Sequence, residues 1–176
     1  MHEDEATVRA QAEHERRIAR DIQVSSSTRA ESLRLLEHCR MPADVIHIAA
    51  FQALAVACAQ WFGIAPDRAA DIELAVEEVL ANIINHAYPE APGDVVLRCL
   101  AGPDRLVLEV ADRGIPFDAL AVPDPRLSAD ITEREIGGLG IYLVKQVMDQ
   151  VEYRREEDSN VLRLVVMRSP SSSPPS

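Results

Sequence analysis

The stretch Gly137-Gly138-Leu139-Gly140-Ile141 runs on as YLVKQVMDQV to Val151 and sets glycines immediately before an amphipathic helix. Its apolar side is Ile141, Val144, Val147, Met148 and Val151, recurring at the spacing of a helix with one buried face. Unbonded N–H groups at a helix start suit phosphate oxygens. Glycines before a helix also serve as plain loop hinges. GGLG has neither the GxGxxG nor the Walker A spacing, which disfavours a Rossmann or P-loop assignment. The stretch acquires meaning from two motifs upstream of it, each weak alone.

The nearer motif follows a strand, Leu106-Val107-Leu108-Glu109-Val110, and consists of Asp112, Gly114 and then Pro116-Phe117. An aspartate ending a buried strand can accept a hydrogen bond from an exocyclic amine such as that of adenine, with Phe117 as an apolar neighbour. Glycine at 114 permits close backbone approach or a positive φ. Taken alone, DRG is an ordinary strand-ending turn. The farther motif lies in DRAADIELAVEEVLANIINHAY, residues 67–88, where Ile72, Val76, Val79, Leu80, Ile83 and Ala87 form one apolar arc of an amphipathic helix. At roughly 100° per residue, Glu78, Asn82, Asn85 and His86 fall together on the other face. Such a stripe looks either into a cleft or into solvent.

In this order, Glu78-x-x-x-Asn82-x-x-x-His86, Asp112-x-Gly114-x-Pro116-Phe117 and Gly138-x-Gly140 resemble the N, G1 and G2 boxes of the GHKL ATPases. The NHAY end of the first box and the GGLGIYLVKQVMDQV ending resemble the bacterial anti-sigma-factor serine kinases more than the sensor histidine kinases. The resemblance implies a Bergerat ATP-binding fold with ATP and Mg²⁺ as cofactors. It makes Glu78 the general base and Asn82 the Mg²⁺ ligand. Asp112 would bind the adenine amine, Gly114 would let the base lie against the backbone, and Phe117 would flank it. Gly138, Leu139 and Gly140 would present N–H groups to the phosphates. Asn85 and Lys145 are weaker candidates for contacts in the cleft.

A length of 176 residues with 47% hydrophobic content suits one domain with a real core. The longest apolar run, near Ile46 to Ile64, is interrupted by His47, Gln52 and Gln60, which argues for a packed helix over a membrane span. The N-terminus MHEDEATVRAQAEHERR is too charged for a secretory signal. Cys39, Cys58 and Cys99 are scattered, without a CxxC pair, so neither a disulfide framework nor a zinc site is indicated and a cytoplasmic location is expected. A net charge of −11 disfavours direct binding to nucleic acid or an anionic membrane and favours protein partners.

The chain divides into a charged extension at 1–29, a histidine-kinase-like ATPase domain at 30–168 and a Ser/Pro tail at 169–176. Within the domain, Glu31 to His38 offers a first strand, Pro42 opens a helix continuing through Trp61 and Phe62, and Gly63 ends it. Val95 to Leu100 and Arg105 to Ala111 read as a hairpin. Val151 to Arg155 and Val161 to Met167 flank a polar turn from Glu156 to Asn160. The fold class is α+β: a two-layer α/β sandwich with a mixed, mostly antiparallel sheet and helices on one face. The connector at about 118–136, long for a compact domain, is by resemblance the ATP lid.

The extension lacks an apolar heptad seam, which argues against a phosphoacceptor-histidine helix pair. By resemblance, then, the chain is a serine kinase of a partner-switching pathway. It would phosphorylate an anti-sigma-factor antagonist and sequester a sigma factor or similar client. A homodimer fits the resemblance, although no seam demonstrates it. The alternatives are a non-catalytic, nucleotide-dependent binding module and, below it, a histidine-kinase-type catalytic domain.

Overall fold

Alternation of side chains builds the sheet. In β2 (Asp94–Ala101), Val95, Leu97, Cys99 and Ala101 are buried and the residues between them are not. β3 (Arg105–Asp112) pairs with it antiparallel, as the hairpin reading expects, and is buried almost throughout because it is the central strand. This computed structural model describes residues 33–121 and 139–168. The extension at 1–29, lid residues 122–136, Gly138 and the tail at 169–176 lie outside the described residues.

β4 (Gln150–Glu156) and β5 (Ser159–Met167) form a second hairpin, and β5 pairs with β3. β1 (Arg34–Pro42) closes the other edge, giving the order β1-β2-β3-β5-β4. Every one of these pairings is antiparallel, so the expected antiparallel majority makes up the whole of the described sheet. The layer above it holds α1 (Ile48–Phe62), α2 (Ala69–His86) and α3 (Leu139–Val147). Leu97, Leu108, Val110, Leu162 and Leu164 of the sheet share one cluster with Phe51, Ala55, Ile72, Val76 and Leu80 of the helices. Val107, Val161 and Val165, which point from the other face, fall outside that cluster.

The expected apolar arc of α2 is buried throughout, from Ile72 to Ala87. Of the side assigned to the third helix, Val144 and Met148 are buried and Ile141 and Val147 are half-buried. Val151 belongs instead to β4. Gly63 ends α1 as expected, at φ 84°, with its N–H shared between the carbonyls of Ala59 and Gln60. α1 and the turn before it are long and apolar enough to cross a membrane, yet Phe51, Ala55, Cys58, Ala59 and Phe62 pack into the core, which makes α1 a core helix.

Two boundaries differ from the sequence reading. β1 runs on past His38, the expected end, to Pro42, while the expected start at Glu31 lies outside the described residues; across a register shift between Leu35 and Glu37 the strand turns Leu36, Cys39 and Met41 toward the helices. Pro42 therefore closes this edge strand, where a missing N–H costs least, and does not open the helix. Asp44 starts the helical segment instead, accepting the N–H of Ile46 at 3.1 Å across a short 3₁₀ turn. The second polar turn is also tighter than expected. It is confined to Glu157 and Asp158, with Glu157 at φ 49°, so Ser159 and Asn160 lie in β5.

Leu108 sits on the central strand with no exposure, whereas Ile46 is 77% exposed. Leu108→Ala is expected to lower unfolding free energy by about 2–5 kcal/mol. Ile46→Ala should change it by no more than about 0.5 kcal/mol, both read from urea denaturation midpoints.

Candidate functional site

Asp112 is the last residue of β3 and Asn160 lies directly opposite it on β5, both only 6% exposed and on the helix side of the sheet. A carboxylate this deep requires hydrogen-bond donors. Its Oδ1 accepts the N–H of Gly114 at 2.7 Å and Nδ2 of Asn160 at 3.0 Å. Asn160 also donates to the carbonyl of Ile115 at 3.0 Å, and its Oδ1 accepts from the Tyr153 hydroxyl at 2.9 Å and from Arg155 at 2.8 Å. The strand end and the turn after it are thus bound into one polar unit.

That turn is also bound to α2. A Cβ at Gly114 would land on the carbonyl oxygen of Ala87, and the next residue, Ile115, donates its N–H to the same oxygen at 3.0 Å. The glycine is required by this close approach of two backbones, and positive φ among the described glycines is confined to Gly63. Tyr88 reinforces the junction by accepting the N–H of Arg113 at 2.9 Å and donating to the carbonyl of Asp94 at 2.7 Å. Burial raises the Tyr88 phenol above its ordinary pKa, which keeps it protonated and able to donate.

Between α2 and the sheet lies a narrow cleft. Asp112, Asn160 and Val110 form its floor, Asn82 and His86 line it from α2, and Phe117 and Ile141 line it from the loop and α3. The mixture of apolar walls and a few convergent polar groups is that of a small-molecule site. One turn before Asn82, the half-buried Glu78 carboxylate abuts Gly140, where a Cβ would run into it. Gly140 lies in the first turn of α3, where free N–H groups and the helix dipole favour anions.

The structure therefore brings Asn82, Asp112 and Phe117 to one cleft, with Gly114 behind it. Glu78 meets Gly140 at the start of α3, Leu139 is half-exposed there, and Gly138 lies outside the described residues. Neither Asn85 nor Lys145 lines the cleft. Among the described residues no three His, Cys, Asp or Glu side chains converge as a metal site. A magnesium ion held by Asn82 and phosphate oxygens would leave no such cluster, because this ion keeps much of its water. The neutral oxygen of Asn82 in the cleft suits a hydrated magnesium ion.

Sequence reasoning missed Asn160, Tyr153, Arg155 and Tyr88. Asn160 reads as a turn residue until the β3–β5 register sets it opposite Asp112. No local signal marks Tyr153 or Arg155.

A family model described as histidine kinase-like ATPase domain matches residues 41–166. The serine-protein kinase RsbW of Bacillus cereus (strain Q1) is 30% identical over 127 residues, covering 70% of this chain and 79% of the relative. The RsbW of Bacillus thuringiensis subsp. konkukian (strain 97-27) gives the same figures: 30% over 127 residues, 70% and 79%. Among solved structures, the RsbU and RsbW domains of a Mycobacterium tuberculosis protein match with a TM-score of 0.50 at 14% identity, over 78% of this chain and 35% of that longer one, a likeness of fold. The chain belongs to the histidine kinase-like ATPase family, in its branch of anti-sigma serine kinases. It is by class a protein-serine kinase, and nucleotide binding goes with its domain.

Gly114→Ala should lower stability by about 1–3 kcal/mol, the usual cost of forcing extra volume into a packed contact. Chemical denaturation checks it; an unchanged midpoint would show that the junction with Ala87 yields freely.

Proposed function

We propose that this protein transfers the γ-phosphate of ATP to a serine of an anti-sigma-factor antagonist, and that it otherwise holds a sigma factor or analogous client, acting in the cytoplasm. The observation that carries this reading is a helix-walled cleft lined by Asn82 and Asp112, with the Glu78 carboxylate one turn before Asn82 on the same helix. Glu78 lies against the start of α3, and Asp112 lies at the sheet end beside Ala87. The first suits the phosphate end of a nucleotide and the second its base.

Phosphoryl transfer depends mainly on positioning and charge neutralisation. Glu78 would accept the proton of the incoming serine hydroxyl, acting as general base. The N–H groups in the first turn of α3, including those of Leu139 and Gly140, together with Gly138 before them, would orient the phosphates. Asp112 would accept the adenine amine, with Gly114 behind the base and Phe117 beside it. Magnesium, when bound through Asn82, would neutralise phosphate charge. The domain carrying these roles would span 30–168, with the connector at about 118–136 as its lid.

Glu78→Gln is expected to reduce phosphotransfer by about 10²-fold or more while ATP still binds. Asn82→Ala should weaken magnesium–ATP binding, and Asp112→Asn should weaken adenine recognition. The test passes native lysate over immobilised protein with magnesium and either ATP or ADP, followed by mass spectrometry of captured partners and new phosphoserines. A small antagonist phosphorylated by wild type and not by the Glu78 variant supports the kinase reading. Nucleotide-dependent capture without phosphorylation would replace it with the binding-module reading. Tight magnesium–ATP binding in both the Asn82 and Asp112 variants would overturn the site assignment.

A further inference from the structure

We propose that Asn160, held in place by Tyr153 and Arg155 of β4, is a positioning residue that sets the base selectivity of the cleft through Asp112. The inference rests on the nucleotide-site reading above and adds to it residues outside the three sequence motifs.

The amide of Asn160 has its orientation dictated by its partners. Nδ2 faces the Asp112 carboxylate and the carbonyl of Ile115, both acceptors, each at 3.0 Å. Oδ1 faces the Arg155 guanidinium at 2.8 Å, the Tyr153 hydroxyl at 2.9 Å and the Phe117 N–H at 3.4 Å. A guanidinium and a backbone N–H can only donate, so a flipped amide would set its NH₂ against two obligate donors and its oxygen against two acceptors. Asn160 is therefore locked as a donor toward Asp112.

That lock decides what Asp112 offers a ligand. The two donors that reach it, Gly114 N–H and Asn160 Nδ2, converge on Oδ1. Both bonds fall on one oxygen, so Oδ2 carries neither of them, and because Asp112 lines the cleft we assign Oδ2 as the acceptor for a ligand there. A 6-amino purine presents a donor to it, whereas a 6-oxo purine presents lone pairs and is repelled. Without Asn160 the carboxylate could turn, take a bridging water, and tolerate either base.

Arg155 extends the lock to the turn. The same guanidinium nitrogen that meets Asn160 lies 3.3 Å from the carbonyl of Gly114, so one cation on β4 ties both the amide and the turn behind the base. Charge-assisted bonds of this kind are stronger than neutral ones. Tyr153 is different, because it lines the cleft itself while donating to Asn160.

The test measures dissociation constants for magnesium–ATP and magnesium–ITP by calorimetry. The two ligands differ at the 6-position of the base, amino in one and oxo in the other. Wild type should favour ATP. Asn160→Ala should reduce the ATP-over-ITP preference by about 10-fold, within the range expected when a buried charged group loses one partner. Arg155→Met should reduce it less, and Arg155→Lys, which keeps a cationic donor, should restore part of the difference. Tyr153→Phe, which removes one hydroxyl and little volume, provides a milder variant should Asn160→Ala fail to fold.

An unchanged preference in Asn160→Ala or, if that protein does not fold, in both Arg155→Met and Tyr153→Phe, with native melting temperatures, would overturn the inference and leave the nucleotide site standing. Wild type that binds neither triphosphate, or both equally, would remove the adenine role of Asp112 and this inference with it.

Discussion

The cleft depends on one helix meeting the rest of the fold at two glycines, of which Gly114 is required by its contact with the backbone of Ala87. Glu78 abuts Gly140 at the start of α3, and Ala87, just past the end of α2, abuts Gly114 in the turn after β3. Nine residues of helix separate these points, about 13 Å at the usual rise per residue. α2 therefore acts as a ruler between them. Its length sets the distance between the anion-favouring helix start and the buried carboxylate. Its inner face, from Ile72 to Ile83, anchors it to the sheet so that neither end can drift independently.

The features legible in sequence are those with a period or a strong local exception. α2 shows its buried arc in full, and the two hairpins show strand patterning because each has a face against the helices. Gly114 and Gly140 were legible as glycines near motifs, but their function as contact points with α2 depends on tertiary approach, which no local pattern encodes. β1 is less legible for a related reason. As an edge strand with an irregular register it buries only part of one face, and Cys39 and Met41, which turn inward, follow no unbroken apolar alternation with the Leu33-x-Leu35-Leu36 run.

The face of the sheet turned away from the described helices handles a buried charge in another way. Glu109 on β3 is 7% exposed and lies near three arginines, at 2.9 Å from Arg154, 3.3 Å from Arg163 and 3.7 Å from Arg98. These come from β4, β5 and β2, so one carboxylate cross-links four strands. Removal of any one arginine would leave the others, whereas removal of Glu109 would leave like charges crowded on one face. Its stabilising contribution is bounded by the cost of desolvating the carboxylate, which well-packed apolar residues would not incur.

Glu109 and Asp112 stand three residues apart on the same strand and differ in what satisfies them. Glu109 is met by cations, which neutralise its charge and leave it little attraction for anything else. Asp112 is met by a backbone N–H and a neutral amide, while the nearest described cation in its hydrogen-bonded unit, Arg155, reaches it only through Asn160. Neutral donors orient a carboxylate without cancelling its charge. Had Arg155 bonded directly to Asp112, the buried pair would have been closed to a ligand amine, as at Glu109. Interposing Asn160 keeps the cation close enough to fix the geometry and far enough to leave the carboxylate an acceptor, which is what recognition of an uncharged amine requires.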